Sequence, residues 1–170
     1  TSSQDYPSSL MGSIALLRQT YLDAEWYKTQ PTTKVEYNIS LEAFNNLQTL
    51  PQIFEVNNKL SALRADKIGD EFKVKYIIKG NGDEYQRVDE VFNTFNKYII
   101  PLNFPDALDV EDPYDAEMVT TADLKHWEMA PANPKILLEN GVQFALSSCD
   151  LKDKKIFLKN LRKAVLYGMT

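Results

Sequence analysis

At 170 residues the chain has the length of one domain, and 44% hydrophobic against 25% charged residues is the balance of an ordinary globular protein. A net charge of −5 offers nothing that draws nucleic-acid phosphate or an anionic membrane by bulk charge. With one cysteine, Cys149, and one histidine, His126, the chain cannot form an intrachain disulfide, a cysteine-rich zinc site or the HExxH and HxH patterns of common zinc enzymes.

The chain opens TSSQDYPSS without a methionine and closes KNLRKAVLYGMT inside a helical pattern, so it reads as a segment excised from a longer protein. No apolar run approaches the ~20 residues of a membrane helix, and membrane insertion is not expected. The first strong helix spans residues 8–28, with Leu10, Ile14, Leu17 and Tyr21 on one face and Ser8 or Ser9 as cap after Pro7. QPTTKVEYNIS follows as a loop, then LEAFNNLQTL as a short amphipathic helix.

An alternation begins next. QIFEV, KVKYIIK, KYIIPL and VQFALS read as strands, separated by helices over KLSALRADKIGDEF, GDEYQRVDEVFNTFN, TTADLKHWEMA and NPKILLENG. LKDKKIFLKNLRKAVLYG closes the chain as a helix whose lysines are spaced as a solvated face. Strands alternating with helices imply an α/β fold with parallel pairing through right-handed crossovers. A complete eight-stranded barrel usually needs ~250 residues. An open four-stranded α/β sheet is possible, but the first helices have no strand of their own to serve. The economical reading is half of a TIM-like barrel, or a barrel-derived α/β fragment, with a helical lead-in over 6–50 and four βα units over 51–170. Its outer strands would expose edges for the remaining part of a parent barrel to cover.

Alternate strand residues share a face. Phe54 and Val56 oppose Ile53, Glu55 and Asn57; Tyr76 and Ile78 oppose Lys75, Ile77 and Lys79. Tyr98, Ile100 and Leu102 oppose Ile99, Pro101 and Asn103; Phe144 and Leu146 oppose Ala145, Ser147 and Cys149. With the bulkier set under the helices, Glu55, Asn57, Lys79, Asn103 and Cys149 converge at the carboxyl ends of the strands, where barrel enzymes keep their sites.

The runs YPSSLMGSIALLRQTYLDAEWY, PLNFPDALDVEDPYDAE and ADLKHWEMAPANP, with the strand–helix stretch around Glu55, resemble the amidohydrolase superfamily. Within it the likeness is to imidazolonepropionase-like proteins, in large bacterial polypeptides with more than one amidohydrolase-like region. The resemblance spans nearly the whole chain. It implies the later half of a TIM-like barrel and a parent whose relatives hydrolyse C–N bonds of amides or cyclic amides. Those relatives use one or two divalent, zinc-like metals that activate a bound water. It also suggests a periplasmic or cell-surface location.

Three positions depart from the family pattern. Where a typical strand reads like VFIHAN and gives a histidine ligand, this chain has IFEVN, with Glu55 in the slot. Where the next strand often ends in a second histidine stands Lys79, and where ALGTD supplies a catalytic aspartate this chain has Cys149, with Asp150 one residue late. The family's HxH pair would lie upstream. Glu55, Lys79, Cys149 and Asp150 are therefore the family-position candidates. No metal or other cofactor is expected in this segment, with Glu55 and Asp150 as the alternative ligands.

Two functions remain open. One is a degenerate, non-catalytic amidohydrolase-like region serving as scaffold or ligand-binding surface. The other is a contributing half of a working metal-dependent hydrolase; under either, the segment alone should be inactive. On the first, Glu55 and Lys79 on adjacent strands form an ion pair whose ammonium substitutes for the metal's charge. A small-molecule ligand is compatible with both, and nucleic acid with neither.

The remaining candidates read as structural. His126 beside Trp127 is a packing or capping residue, and Cys149 a small semi-buried one lacking a nearby histidine to activate it. The loop bearing Asp106, Asp109, Glu111, Asp112 and Asp115 lacks the glycine and oxygen spacing of a calcium loop. Gly80 and Gly82 are turn residues rather than a phosphate loop.

Overall fold

The computed structural model describes residues 6–31 and 36–170, so residues 32–35 of the expected loop QPTTKVEYNIS lie outside the described residues. The chain divides into two compact units, one ending at Gln52 and the other beginning at Ile53.

In the first unit, Ser9 accepts the Gly12 N–H at 3.1 Å and starts α1 (Leu10–Thr29). Asn38 caps α2 (Ile39–Leu47) by accepting from the Ser40 and Leu41 N–H groups, which starts this helix two residues before the expected Leu41. The two helices pack through Tyr21 and Phe44, whose rings meet edge to face at 5.1 Å. Asn45 Nδ2 donates to the Ala24 carbonyl at 2.9 Å and ties the pair across 21 residues of chain.

The second unit carries the sheet, apart from Gln52 at the start of β1. The strands are β1 (Gln52–Glu55), β2 (Tyr76–Lys79), β3 (Lys97–Pro101) and β4 (Phe144–Ser147), in the spatial order of the sequence. β2 pairs parallel to β3 with Ile78 opposite Tyr98, and β3 pairs parallel to β4 with Ile100 opposite Leu146. Val56 N–H donates to the Lys79 carbonyl at 3.0 Å and joins β1 to β2. Between the strands run α3 (Lys59–Phe72), α4 (Val88–Asn93), α5 (Pro113–Met118), α6 (Thr121–Met129) and α7 (Asn133–Glu139); α8 (Phe157–Leu166) closes the chain.

The expected alternation holds on the covered face. Tyr76, Ile78, Tyr98, Ile100 and Val56 are buried together with Ala62, Ala65 and Leu137, and Phe54 meets Tyr76 edge to face at 5.1 Å. Full burial of Ile78 or Ile100 stabilises by roughly 1.5–3 kcal/mol each. On the other face Ile53 is 64% exposed and Ala145 is exposed, so this side of the sheet is open. Pro101 departs from its parity: it is fully buried, lining a small cavity with Asn103 and Phe104.

Several boundaries differ from the expected ones for local reasons. β2 begins at Tyr76 rather than Lys73, because Lys73 ends α3 in the left-handed conformation at φ 58. The helix expected over residues 82–96 is instead a 3-10 turn, Glu84–Arg87, followed by the short α4. Its first N–H groups are claimed by side chains, as described below. The long connection after β3 contains the additional α5, started by Asp112 accepting the Tyr114 N–H with Pro113 in the first turn. The closing helix likewise splits into a 3-10 turn, Lys154–Ile156, and α8.

Candidate functional site

Three charged side chains from the ends of β1, β2 and the segment after β4 meet over the open face. Lys79 Nζ lies 2.6 Å from Glu55 Oε1 and 2.7 Å from Asp150 Oδ2. The pairing of Glu55 with Lys79 follows from their shared face and adjacent strands. Asp150 enters because the chain turns sharply after β4, with Asp150 itself in the left-handed region at φ 64. That turn breaks strand parity: Cys149, in line by sequence, is exposed rather than semi-buried, and the neighbouring carboxylate meets the lysine. Lys79 keeps only 13% of its side chain exposed, against 70% for Glu55 and 42% for Asp150. The hydrogen bonds to Asp150 and then to Glu55 raise the Lys79 ammonium above the ordinary lysine range.

The turn after β2 holds a buried network that the sequence reading did not find. Glu84, only 1% exposed, turns Oε1 back to accept the N–H groups of Asn81 at 2.8 Å and Gly82 at 3.2 Å. Its Oε2 accepts from Asn133 Nδ2 at 2.8 Å, while Asn133 Oδ1 accepts the Tyr85 N–H at 2.9 Å. Burial raises the Glu84 carboxyl above its ordinary range, and these donors oppose that shift without cancelling it. Gly80 makes the arrangement possible, since a Cβ there would occupy the place of the Glu84 carboxylate. The sequence clue was present in GNGDE: a carboxylate two residues beyond a glycine turn at a strand end.

His126 joins the same end of the sheet. Its Nδ1 lies 3.2 Å from Tyr85 Oη, and the two rings stack with centroids 6.0 Å apart. With Asn81, Asn103 and Asn133 it lines a cavity of about 10 Å³, large enough for one water. Asn103 Oδ1 is buried without a hydrogen-bond partner among the described residues. Asn57 is drawn in through its backbone, its carbonyl accepting from Asn81 Nδ2 at 3.1 Å. The structure thus gathers Glu55, Lys79 and Asp150 in one cluster and Asn103 and His126 in another, and leaves Cys149 outside both.

Among the described residues no group of three histidine, cysteine or acidic side chains is placed to hold a metal ion. The acidic residues of the long loop stay near its surface; Asp106 pairs with Lys152 at 3.0 Å with both side chains exposed.

No family model matches this sequence, and no curated protein matches it. Among solved structures the chain is similar to an amidohydrolase from Thermotoga maritima MSB8, with a TM-score of 0.69 and 16% sequence identity. The match covers 96% of this chain and 42% of that one, so the chain spans less than half of its structural neighbour. At that identity the likeness is one of fold: a four-stranded sheet of βα units arranged as in part of an amidohydrolase.

Proposed function

We propose that this chain is a degenerate, non-catalytic amidohydrolase-like region of a larger protein, acting as a scaffold or small-molecule binding surface. The observation that carries this reading is the position of Lys79 Nζ, within 2.7 Å of both Glu55 and Asp150. Glu55 and Lys79 occupy slots where the family resemblance calls for metal-binding histidines. The donor set around the strand ends is then two carboxylates and an ammonium. A protonated lysine offers no lone pair and repels a cation, so this set does not fit a divalent metal. Its charge instead offsets the carboxylates that would otherwise face each other.

The open face supports the larger-protein half of the reading. Parallel sheets are ordinarily covered on both faces, and on this face Ile53 and Ala145 are exposed while Ile77 and Ile99 are half-buried. The remaining strands of a TIM-like barrel would cover it and would enclose the Lys79 cluster at the barrel mouth.

The convergence of Glu55 and Asp150 also favours a second reading, in which the chain contributes part of a metal-dependent C–N hydrolase and Lys79 withdraws when metal arrives. Elemental analysis separates the two. The protein, stripped with chelator and offered zinc or manganese, should retain no stoichiometric metal, and Glu55→Gln should change nothing in that measurement. One bound equivalent that disappears in Glu55→Gln would overturn the proposal and make Glu55 a ligand.

A further inference from the structure

Two segments of opposite charge lie side by side on the second unit. The connection after β3 carries Asp109, Glu111, Asp112, Asp115 and Glu117, with no lysine or arginine between residues 104 and 120. The turn before α8 and α8 itself carry Lys154, Lys155, Lys159 and Arg162. The two segments are tied where the acidic one begins. Asn160 Nδ2 donates to the Leu102 carbonyl at 2.6 Å, Lys152 Nζ meets Asp106 at 3.0 Å, and Lys163 Nζ stands 5.7 Å from the centre of the Phe104 ring. Beyond those ties the charges go unanswered. Among the described residues none of the carboxylates from Asp109 to Glu117, and none of the cations Lys154, Lys155, Lys159 and Arg162, has an ion-pair partner.

The same two surfaces carry exposed apolar side chains. Val110, Tyr114 and Met118 are exposed in the acidic segment, and Leu158, Val165 and Leu166 on α8, with Tyr114 at 81% and Leu166 at 85%. Leu158 and Val165 share a face of α8 at i and i+7, and Lys159, Arg162 and Leu166 follow at helical spacing beside them. The helix packs inward elsewhere, through Ala164. A lone exposed leucine needs no partner. Here apolar side chains stand among uncompensated charge of one sign, next to an equivalent set of the other sign, so the whole face is complementary to itself. Within one chain the acidic segment reaches the basic one only at Asp106, and the rest of it stays exposed rather than lying on α8. An isologous interface requires such self-complementarity, because each patch meets its own copy.

We propose that this face is the interface of a two-fold dimer, in which the acidic segment of each copy lies on α8 of the other. The carboxylates meet Lys159 and Arg162, while Tyr114 and Met118 cover Leu158 and Val165. Opposite charge selects the partner and its register, and the apolar contacts exclude water from the centre. Because each copy offers both halves, the pairing closes on two copies instead of growing into a filament. It does not depend on the function proposed for the Lys79 cluster.

The test is sedimentation equilibrium of the whole chain, with folding of each variant checked by circular dichroism. The wild type should show a monomer–dimer equilibrium that weakens about ten-fold or more on going from ~0.02 to ~0.5 M salt. One variant combines Lys159→Glu with Arg162→Glu, and a second combines Asp115→Lys with Glu117→Lys; every altered side chain is exposed, so both should fold. Each should be monomeric alone, since like charges then face one another across the two-fold. Mixed, they should form a heterodimer, because the acidic segment and acidic α8 of one meet the basic α8 and basic segment of the other. A wild type that stays monomeric at every concentration would overturn the proposal. So would a dimer indifferent to either pair of substitutions, or a mixture that remains monomeric. A monomer that instead binds vesicles of phosphatidylserine and phosphatidylcholine, and loses them in Lys159→Glu/Arg162→Glu, would assign the basic stripe to a lipid surface and overturn it as well.

Discussion

Glu55 and Glu84 both stand at the carboxyl end of the sheet, and their surroundings could hardly differ more. Glu55 keeps 70% of its side chain in water and faces an ammonium at 2.6 Å. Glu84 is 1% exposed and is held by two backbone N–H groups and an asparagine amide. The first is an electrically balanced but solvent-screened pair. The second is a desolvated carboxyl that organises a loop. Strength and visibility run in opposite directions: the ion pair is easy to find and contributes little, whereas the buried acid is hard to find and holds the strand end together.

The comparison is broken most severely at Glu84. Glu84→Ala leaves the Asn81 and Gly82 N–H groups and the Asn133 amide without their acceptor, and should cost about 3 kcal/mol or more of unfolding free energy in a urea titration. A loss under 1 kcal/mol would mean that water replaces the carboxylate and that Glu84 is not the loop's anchor. The pH dependence has a definite sign. The folded-state carboxyl is raised by burial, so its contribution is complete below the ordinary glutamate range and declines as pH rises through the raised value. Glu84→Gln should remove that part of the decline.

Gly80→Ala tests the same network from the backbone side. The added Cβ would collide with the Glu84 carboxylate, with the Glu84 Cδ 2.9 Å away, and the carboxylate is fixed by its donors. The expected loss is about 2 kcal/mol by calorimetry, at the middle of the range for overpacking. Combining it with Glu84→Ala should recover much of that loss, because the clash partner is then gone.

The fold was largely legible because strand alternation is local. Tyr98, Ile100 and Leu102 differ from Ile99 and Asn103 by parity alone, and parity also put Glu55 and Lys79 on one face. What parity could not reach lies beyond the strand ends. Asp150 meets Lys79 only because of a left-handed turn that no strand pattern records. Glu84 bonds to Asn133 across 49 residues, a contact fixed by the docking of one loop on another helix's start rather than by any nearby residue. The 3-10 turn that replaced an expected helix has the same origin, since Asn133 claims the Tyr85 N–H that a helix would have used.

Lys79→Met sharpens the surface side of the comparison. It removes the cation while keeping most of the side chain's length, so Glu55 and Asp150 face each other uncompensated. The expected loss is about 1–2 kcal/mol, between the values for exposed and buried pairs, because Lys79 itself is largely covered. The ammonium is raised above its ordinary range, so its contribution is complete below that range and disappears as pH climbs through the raised value. Wild-type stability should therefore fall in the alkaline limb more steeply than that of Lys79→Met. Parallel alkaline limbs would place no stabilising weight on the cluster.

Glu55→Gln carries the smallest expected effect and the clearest contrast with Glu84. Glutamine keeps the shape and one acceptor oxygen, and Asp150 still neutralises Lys79, so the change in unfolding free energy should stay under about 1 kcal/mol. Most of that change should vanish in molar salt, because a carboxylate so exposed is screened over a few ångströms. In the background of Lys79→Met the same substitution should become neutral or stabilising, since it then removes one of two facing negative charges. A Glu55→Gln loss as large as that of Glu84→Ala, and indifferent to salt, would mean that the open face is covered in solution and that the two acids belong to one buried site.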